Sequence, residues 1–233
     1  MIRKLFLSGL TVVLFLLSQA ASATPIELYD YAINEDGTVT YAPDYYPDPT
    51  ALGLGADGLG MLTYIITGVG THTFDAFFDF EIDEAYNTYF NEYGTANGTA
   101  AAGQTWELDD PWFGDIFFNT EDSLLDNTNS VSSDFNDVSF ALGWDFVLGA
   151  GETATINLFL SDILNTSGFY LQQSDDEIWS EATGGFTTES VYFWSTLTIA
   201  GGGGTPVPEP GTLWLLGAGL LALGLSRRRI TKH

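Results

Sequence analysis

The sequence contains no cysteine in its 233 residues. A chain without thiols has no disulfide framework, no thiolate metal site and no cysteine nucleophile. Its stability must therefore come from side-chain packing, strand pairing or bound ions. With 45% hydrophobic residues, the chain is long and apolar enough for one globular domain with a substantial core.

Basic residues are scarce as well, and none occurs between residues 24 and 206. The six Lys and Arg residues lie near the two termini, whereas Glu209 alone of the 31 acidic residues lies outside residues 24–200. A domain with this charge repels phosphate backbones and attracts cations. We therefore expect no nucleic-acid binding.

Residues suited to nucleophilic catalysis are few. The sequence has two histidines, His72 and His233, and no serine lies in a G-x-S-x-G elbow. Carboxylates are so abundant that no pair is marked as the acid and base of a glycosidase. The sequence therefore predicts a protein that is not an enzyme.

The N-terminus has the three parts of an export signal in order. Arg3 and Lys4 form a positive region, residues 5–17 are apolar, and Ala21-Ser22-Ala23 is a small-x-small cleavage site. This predicts a signal peptide over residues 1–23, cleaved by signal peptidase after Ala23. The rest of the chain is then exported.

Three segments alternate between apolar and polar residues with the period of a β-strand: 74–82, 138–148 and 155–161. A fourth strand is indicated over 190–199 by its β-branched and aromatic residues. In the first, the even positions from Phe74 to Ile82 are apolar, and the odd positions include Asp75, Asp79 and Glu81. The pattern predicts a core face and a face in water. Turn-forming segments separate the strands, so we predict an all-β domain over residues 24–200, an antiparallel β-sandwich of jelly-roll-like type.

The acidic residues make Ca²⁺ a candidate ligand, because this cation takes six to eight oxygen ligands. None of the clusters fits an EF-hand loop, and the alternative is a solvated acidic face. The candidate ligands form three groups: Asp79, Glu81 and Asp83; Asp109, Asp110 and Asp115; and Asp175, Asp176 and Glu177.

Trp106 and Trp112 flank the polar segment ELDDP, which favours carbohydrate binding by ring stacking. Flat aromatic side chains next to carboxylates can hold a sugar by its face and its hydroxyl groups. The alternative is that these tryptophans pack in the core or in loops.

The C-terminal region begins with a glycine-rich tether over residues 201–206 and a rigid motif, Val207-Pro208-Glu209-Pro210. An apolar span over residues 211–226 follows, then a basic tail over 227–233 that starts with Arg227, Arg228 and Arg229. The span is shorter than the roughly 20 residues of a usual membrane helix. It nevertheless predicts one transmembrane segment, with the arginines on the cytoplasmic side.

This order of motif, span and arginines resembles the PEP-CTERM sorting signal of Gram-negative bacteria. Two central segments, AFFDFEIDEAYNTYFNEYG and DVSFALGWDFVLGAGETATI, are also similar to a domain that recurs among PEP-CTERM proteins. The resemblance implies recognition by an exosortase, removal of the tail near Pro-Glu-Pro and an association with exopolysaccharide and biofilm. The inner membrane would hold the protein only transiently, before its transfer to the cell surface or the extracellular space.

The leading interpretation is a non-enzymatic structural or adhesive protein of the cell surface or matrix. A surface carbohydrate-binding module, or a glycan-active enzyme using exposed Trp and carboxylates, is the alternative. A permanently anchored membrane protein is the third.

Overall fold

A computed structural model describes residues 26–82, 90–133, 136–164, 166–175, 178–180 and 185–202. The predicted signal peptide and sorting signal, and the candidate ligands Asp83, Asp176 and Glu177, lie outside these residues. Among the described residues, no helix has the length and apolar character needed to span a membrane.

The strands form two five-stranded antiparallel sheets and a separate two-stranded hairpin. The first sheet has the order β2-β1-β4-β7-β6, with β1 Ile26–Glu35, β2 Thr38–Tyr41, β4 Gly70–Ile82, β6 Gln104–Asp109 and β7 Ser139–Leu148. The second has the order β3-β8-β12-β9-β5, with β3 Gly60–Thr67, β5 Glu92–Asn97, β8 Glu152–Ser161, β9 Tyr170–Asp175 and β12 Ser190–Gly201. The hairpin pairs β10 Ile178–Ser180 with β11 Gly185–Thr187. The predicted all-β class is confirmed; the jelly-roll-like type stays a prediction.

The core lies between the two sheets and is built from the side chains that the period-two pattern predicts. Phe78 and Phe140 of the first sheet meet Phe193 of the second, with ring centroids 5.3 and 5.1 Å apart. All three side chains are fully buried. Aromatic contacts of this kind join the two layers, because each ring removes a large apolar area from water.

The prediction that the polar face of β4 lies in water is wrong. Asp75, Asp79 and Glu81 are all buried. A short helix, α1 Ile116–Asp122, lies over this outer face of the first sheet and packs Ile116 against Phe77. The alternation shows which residues share a face, but it does not show that a helix and its flanking loops cover the polar one.

Candidate functional site

The first sheet opens along one side of β4. The ladder between β4 and β7 ends at the pair Asp79 and Ser139, although β4 continues to Ile82. We call this opening the seam.

Two side chains of the second sheet fill the seam. The Nε2 atom of Gln173 donates hydrogen bonds to the Phe80 carbonyl oxygen and, at 2.9 Å, to Oε2 of Glu92. The same Oε2 atom accepts the Val138 main-chain N–H at 3.1 Å. The side chains of Glu92 and Gln173 therefore satisfy main-chain groups that a continued ladder would otherwise pair.

Four carboxylates meet at the seam: Asp79, Glu81, Glu92 and Asp137. We call them the buried acid cluster, because each is buried, Asp79 and Glu92 with only 1% of their surface exposed. Asp175 adds a fifth carboxylate nearby, since it lies directly opposite Glu92 in the β5–β9 ladder.

The cluster raises the pKa of its own members. Burial raises the pKa of Asp79 well above its ordinary value, and the negative charges of Asp137 and Glu81 raise it further. Burial and then the charge of Asp79 do the same to the pKa of Glu92, against the opposing hydrogen bond from Gln173. These carboxylates are thus close enough to repel one another.

No permanent positive charge of the described domain offsets this repulsion, because residues 24–206 contain no Lys or Arg. His72 lies near the opposite end of β4, roughly 20 Å along the strand, and faces Asp36 with Nδ1 2.7 Å from Oδ2.

An aromatic groove of about 670 Å³ lies next to the acid cluster. Two members of the acid cluster, Glu81 and Asp137, line it. Its other lining residues are aromatic: Tyr29, Tyr46, Phe90, Trp112 and Phe113. A smaller cavity of about 260 Å³ shares Trp112 with the groove, and Asp79 lines it. The acid cluster is therefore reached from both spaces.

The aromatic side chains form a connected set. The Tyr29 ring stacks on the Tyr45 ring, with centroids 5.0 Å apart, and meets the Tyr46 ring edge-on, with centroids 4.9 Å apart. Tyr45 in turn contacts Trp112 at 5.7 Å. Burial raises the pKa of Tyr29 to about 12, and the charges of Tyr45, Asp79, Glu81 and Tyr46 contribute in turn. The Tyr29 hydroxyl group therefore lies close enough to the acids to feel their charge.

The loop that carries Trp112 is held by a carboxylate. One oxygen of Asp110, Oδ1, accepts the main-chain N–H groups of Trp112 and Phe113, both at 2.8 Å. Gly114 follows, and a Cβ atom there would collide with the Asp109 carboxylate. This tight turn leaves Trp112 57% exposed and Phe113 84% exposed.

A second acidic group consists of Glu107, Asp109 and Asp115, whose carboxylate oxygens lie within 4.8 Å of one another. Two of its carboxylates already accept hydrogen bonds within the fold. Asn119 Nδ2 donates to both oxygens of Glu107 at 3.1 Å, and the Asp115 main-chain N–H donates to Asp109 Oδ2 at 3.0 Å. Burial above all raises the pKa of Glu107 to about 7. These bonds tie α1 to the edge of the first sheet.

The predicted ligand groups are rearranged in the structure. Asp79 and Glu81 do lie together, with Glu92 and Asp137, which the sequence did not single out. Asp109 and Asp115 come together with Glu107, and the charge of Asp110 raises the pKa of both Asp109 and Asp79.

The two predicted sugar-binding tryptophans take different places. Trp112 lines the groove, whereas Trp106 is partly buried against the core and its ring contacts Phe169 at 5.6 Å. Of the two, the structure places only Trp112 in a cavity that could take a ligand.

The described residues form an acidic, two-sheet β domain with a groove large enough for a ligand. The C-terminal segment carries the evidence on sorting. Residues 206–229 match the PEP-CTERM protein-sorting motif. The chain therefore carries a PEP-CTERM sorting motif, and the motif implies export and exosortase-dependent sorting to the cell surface through the membrane. No curated protein and no solved structure matches the chain.

Proposed function

We propose that the protein is a structural or adhesive component of the cell surface or extracellular matrix, and that it binds exopolysaccharide through the aromatic groove. The observation that carries the proposal is the exposed aromatic wall around Trp112, next to the carboxylates of Glu81 and Asp137. Exposed aromatic rings attached to a rigid sheet supply stacking faces, and the carboxylates accept hydrogen bonds from sugar hydroxyls.

The charge of the domain restricts the glycan. A polyuronate would be repelled by the acidic surface, because no Lys or Arg lies between residues 24 and 206. An uncharged or amine-bearing polysaccharide avoids this repulsion. We therefore propose a neutral or amino-sugar polymer as the ligand.

Binding of the purified protein to immobilised neutral glucan, partly deacetylated N-acetylglucosamine polymer and polyuronate tests the proposal. Trp112→Ala should weaken binding to one of the first two at least tenfold, through the loss of one stacking face. Ile65→Ala is the matched control, since Ile65 is 66% exposed on β3 and does not line the groove. Equal binding by wild type and Trp112→Ala would exclude the groove as the glycan site.

We propose binding rather than catalysis. The same experiment distinguishes the two, since a glycan-active enzyme would release reducing sugar. Release that is abolished by Glu81→Gln or Asp137→Asn, and not by Asp162→Asn on an exposed loop, would replace the adhesive proposal with glycan hydrolysis.

A further inference from the structure

We infer that the buried acid cluster is a Ca²⁺ site in which Asp79 and Glu92 are the central ligands and Gln173 contributes a neutral amide oxygen. The inference does not depend on the proposed glycan binding. It assigns the cation to carboxylates from both sheets, and not to an acidic face in water.

Three buried oxygen atoms carry the inference. Asp79 Oδ1, Glu92 Oε1 and Gln173 Oε1 have no hydrogen-bond partner within the described part of the chain. All three side chains are at least 99% buried. An unsatisfied buried oxygen is costly, and a carboxylate oxygen more so, unless a cation or a proton occupies the position.

The charge balance of the domain favours a cation from solution. Negative charge on the carboxylates of the seam has no permanent partner in the domain, because no Lys or Arg side chain of residues 24–206 can neutralise it. Asp79 lines the smaller cavity, and Glu81 and Asp137 line the groove. Both spaces lead from solvent to the cluster, so an ion can enter and keep water ligands.

The donor atoms select the metal. Carboxylate and amide oxygens without nitrogen or sulfur ligands suit a hard cation. Ca²⁺ accepts six to eight oxygens in irregular geometry, whereas Mg²⁺ requires a near-ideal octahedron. A cluster assembled from four separate segments of two sheets fits the more tolerant ion. Extracellular Ca²⁺ modules bind with dissociation constants of about 10⁻⁴–10⁻³ M.

Titration of the EDTA-treated exported protein with Ca²⁺, Mg²⁺ and Tb³⁺ tests the site. Tb³⁺ is a luminescent substitute for Ca²⁺, and Tyr29 lies close enough to Asp79 and Glu81 to sensitise it. We expect one equivalent to bind, Ca²⁺ at least tenfold more tightly than Mg²⁺. Asp79→Asn and Glu92→Gln should each weaken Ca²⁺ binding at least tenfold, whereas Asp109→Asn in the second acidic group and Trp112→Ala should change it less than twofold.

Stability in EDTA supplies a second measurement that separates metal binding from folding. Asp79→Asn removes a buried charge, so its Tm in EDTA should equal or exceed that of wild type while its Ca²⁺-induced rise disappears. If Asp79→Asn does not fold, Glu92→Gln decides the matter by the same criteria. No Ca²⁺ binding by wild type, binding that survives both substitutions, equal affinity for Mg²⁺, or an equal loss in Asp109→Asn would each overturn the inference.

Discussion

His72 Nδ1 lies 2.7 Å from Oδ2 of Asp36, so the start of β4 is fastened to the turn between β1 and β2. The other oxygen of Asp36, Oδ1, accepts the Thr73 main-chain N–H at 2.9 Å. The hydrogen bond that His72 donates to the Asp36 carboxylate is the main cause that raises the pKa of His72 above its ordinary value, against a smaller opposing effect of burial.

This pair predicts a pH dependence of stability. Because the folded-state pKa of His72 is raised, its contribution is fully present below about pH 6.5 and is lost as the pH rises through the folded pKa. Solvent screening at the partly exposed Asp36 keeps the effect below about 1 kcal/mol. Asp36 has a left-handed backbone, with φ of 51°, which Asn tolerates as well as Asp. Asp36→Asn should therefore reduce the loss of stability measured by urea unfolding between pH 6 and 9. If Asp36→Asn leaves the pH dependence of stability unchanged, the His72–Asp36 pair is excluded as its cause.

Asp75 predicts a loss of stability in the same direction, with rising pH, but over a lower pH range. Burial raises its pKa to about 7, so the folded state prefers the neutral acid. Its effect on stability is most favourable below the unfolded-state pKa, about 4, and becomes unfavourable as the pH rises to 7. Asp75→Asn should therefore raise the free energy of unfolding by about 1–3 kcal/mol at pH 8 and change it little at pH 4.

Chemical denaturation at the two pH values measures this difference. Asp162→Asn, on an exposed loop, is the matched control and should have no effect at either pH. A stabilisation by Asp75→Asn that is equal at both pH values would assign the effect to packing and not to charge.

Phe193 predicts how far the two sheets depend on one another. Its ring meets Phe78 and Phe140 across the core, so Phe193→Ala leaves a cavity in both layers. We expect a loss of about 3–5 kcal/mol in the free energy of unfolding. Ile199→Ala, at an exposed position of the same strand, should cost less than about 1 kcal/mol. Similar losses in the two variants would contradict the assignment of Phe193 to the shared core.

Gly114 predicts a link between the tight turn and the groove. A methyl group at this position would strike the Asp109 carboxylate, so Gly114→Ala should move the loop that carries Trp112. Glycan binding should fall at least fivefold, about 1 kcal/mol. Gly168→Ala is the control, because its added Cβ would make only an ordinary contact with Thr166. Undiminished binding by Gly114→Ala would show that the loop adapts.

The sorting motif predicts where the protein accumulates. Replacing Pro208, Glu209 and Pro210 by alanine should keep the chain intact in the inner membrane, because the extended motif that an exosortase recognises is lost. Cell fractionation and mass spectrometry of the C-terminus measure the outcome. Replacing Gly203 and Gly204 by serine leaves the motif in place and should not alter sorting. Normal release of the alanine variant would contradict a role of the motif.

Strand periodicity predicted β4, β7 and β8, because alternation is local and one face of each strand lies against the core, and β-branched and aromatic composition predicted β12. It failed for the outer face of β4, where α1 covers Asp75. Nothing in the seven residues of α1 distinguishes this helix from a loop before it packs on the sheet.

The sequence predicted the candidate site only in part. Asp79 and Glu81 are alternate residues of one strand, so their proximity follows from the period. Glu92 joins them from a strand of the other sheet, and Asp137 from the segment just before β7; both placements depend on non-local pairing. Trp112 was found because tryptophan next to carboxylates in a polar loop is unusual, whereas Trp106 shares that context but its ring packs against Phe169.

The absence of Lys and Arg from the sandwich also determines how the protein withstands digestion. Trypsin-like proteases hold a Lys or Arg side chain in their specificity pocket before they cut the chain, and residues 24–206 offer neither. Once the two ends have been removed, this domain contains no cleavage site for trypsin-like proteases, whether it is folded or unfolded. Residues 24–206 also lack any lysine amine for chemical cross-linking, so the proposed attachment to a matrix would use other groups, among them the non-covalent contacts of the groove.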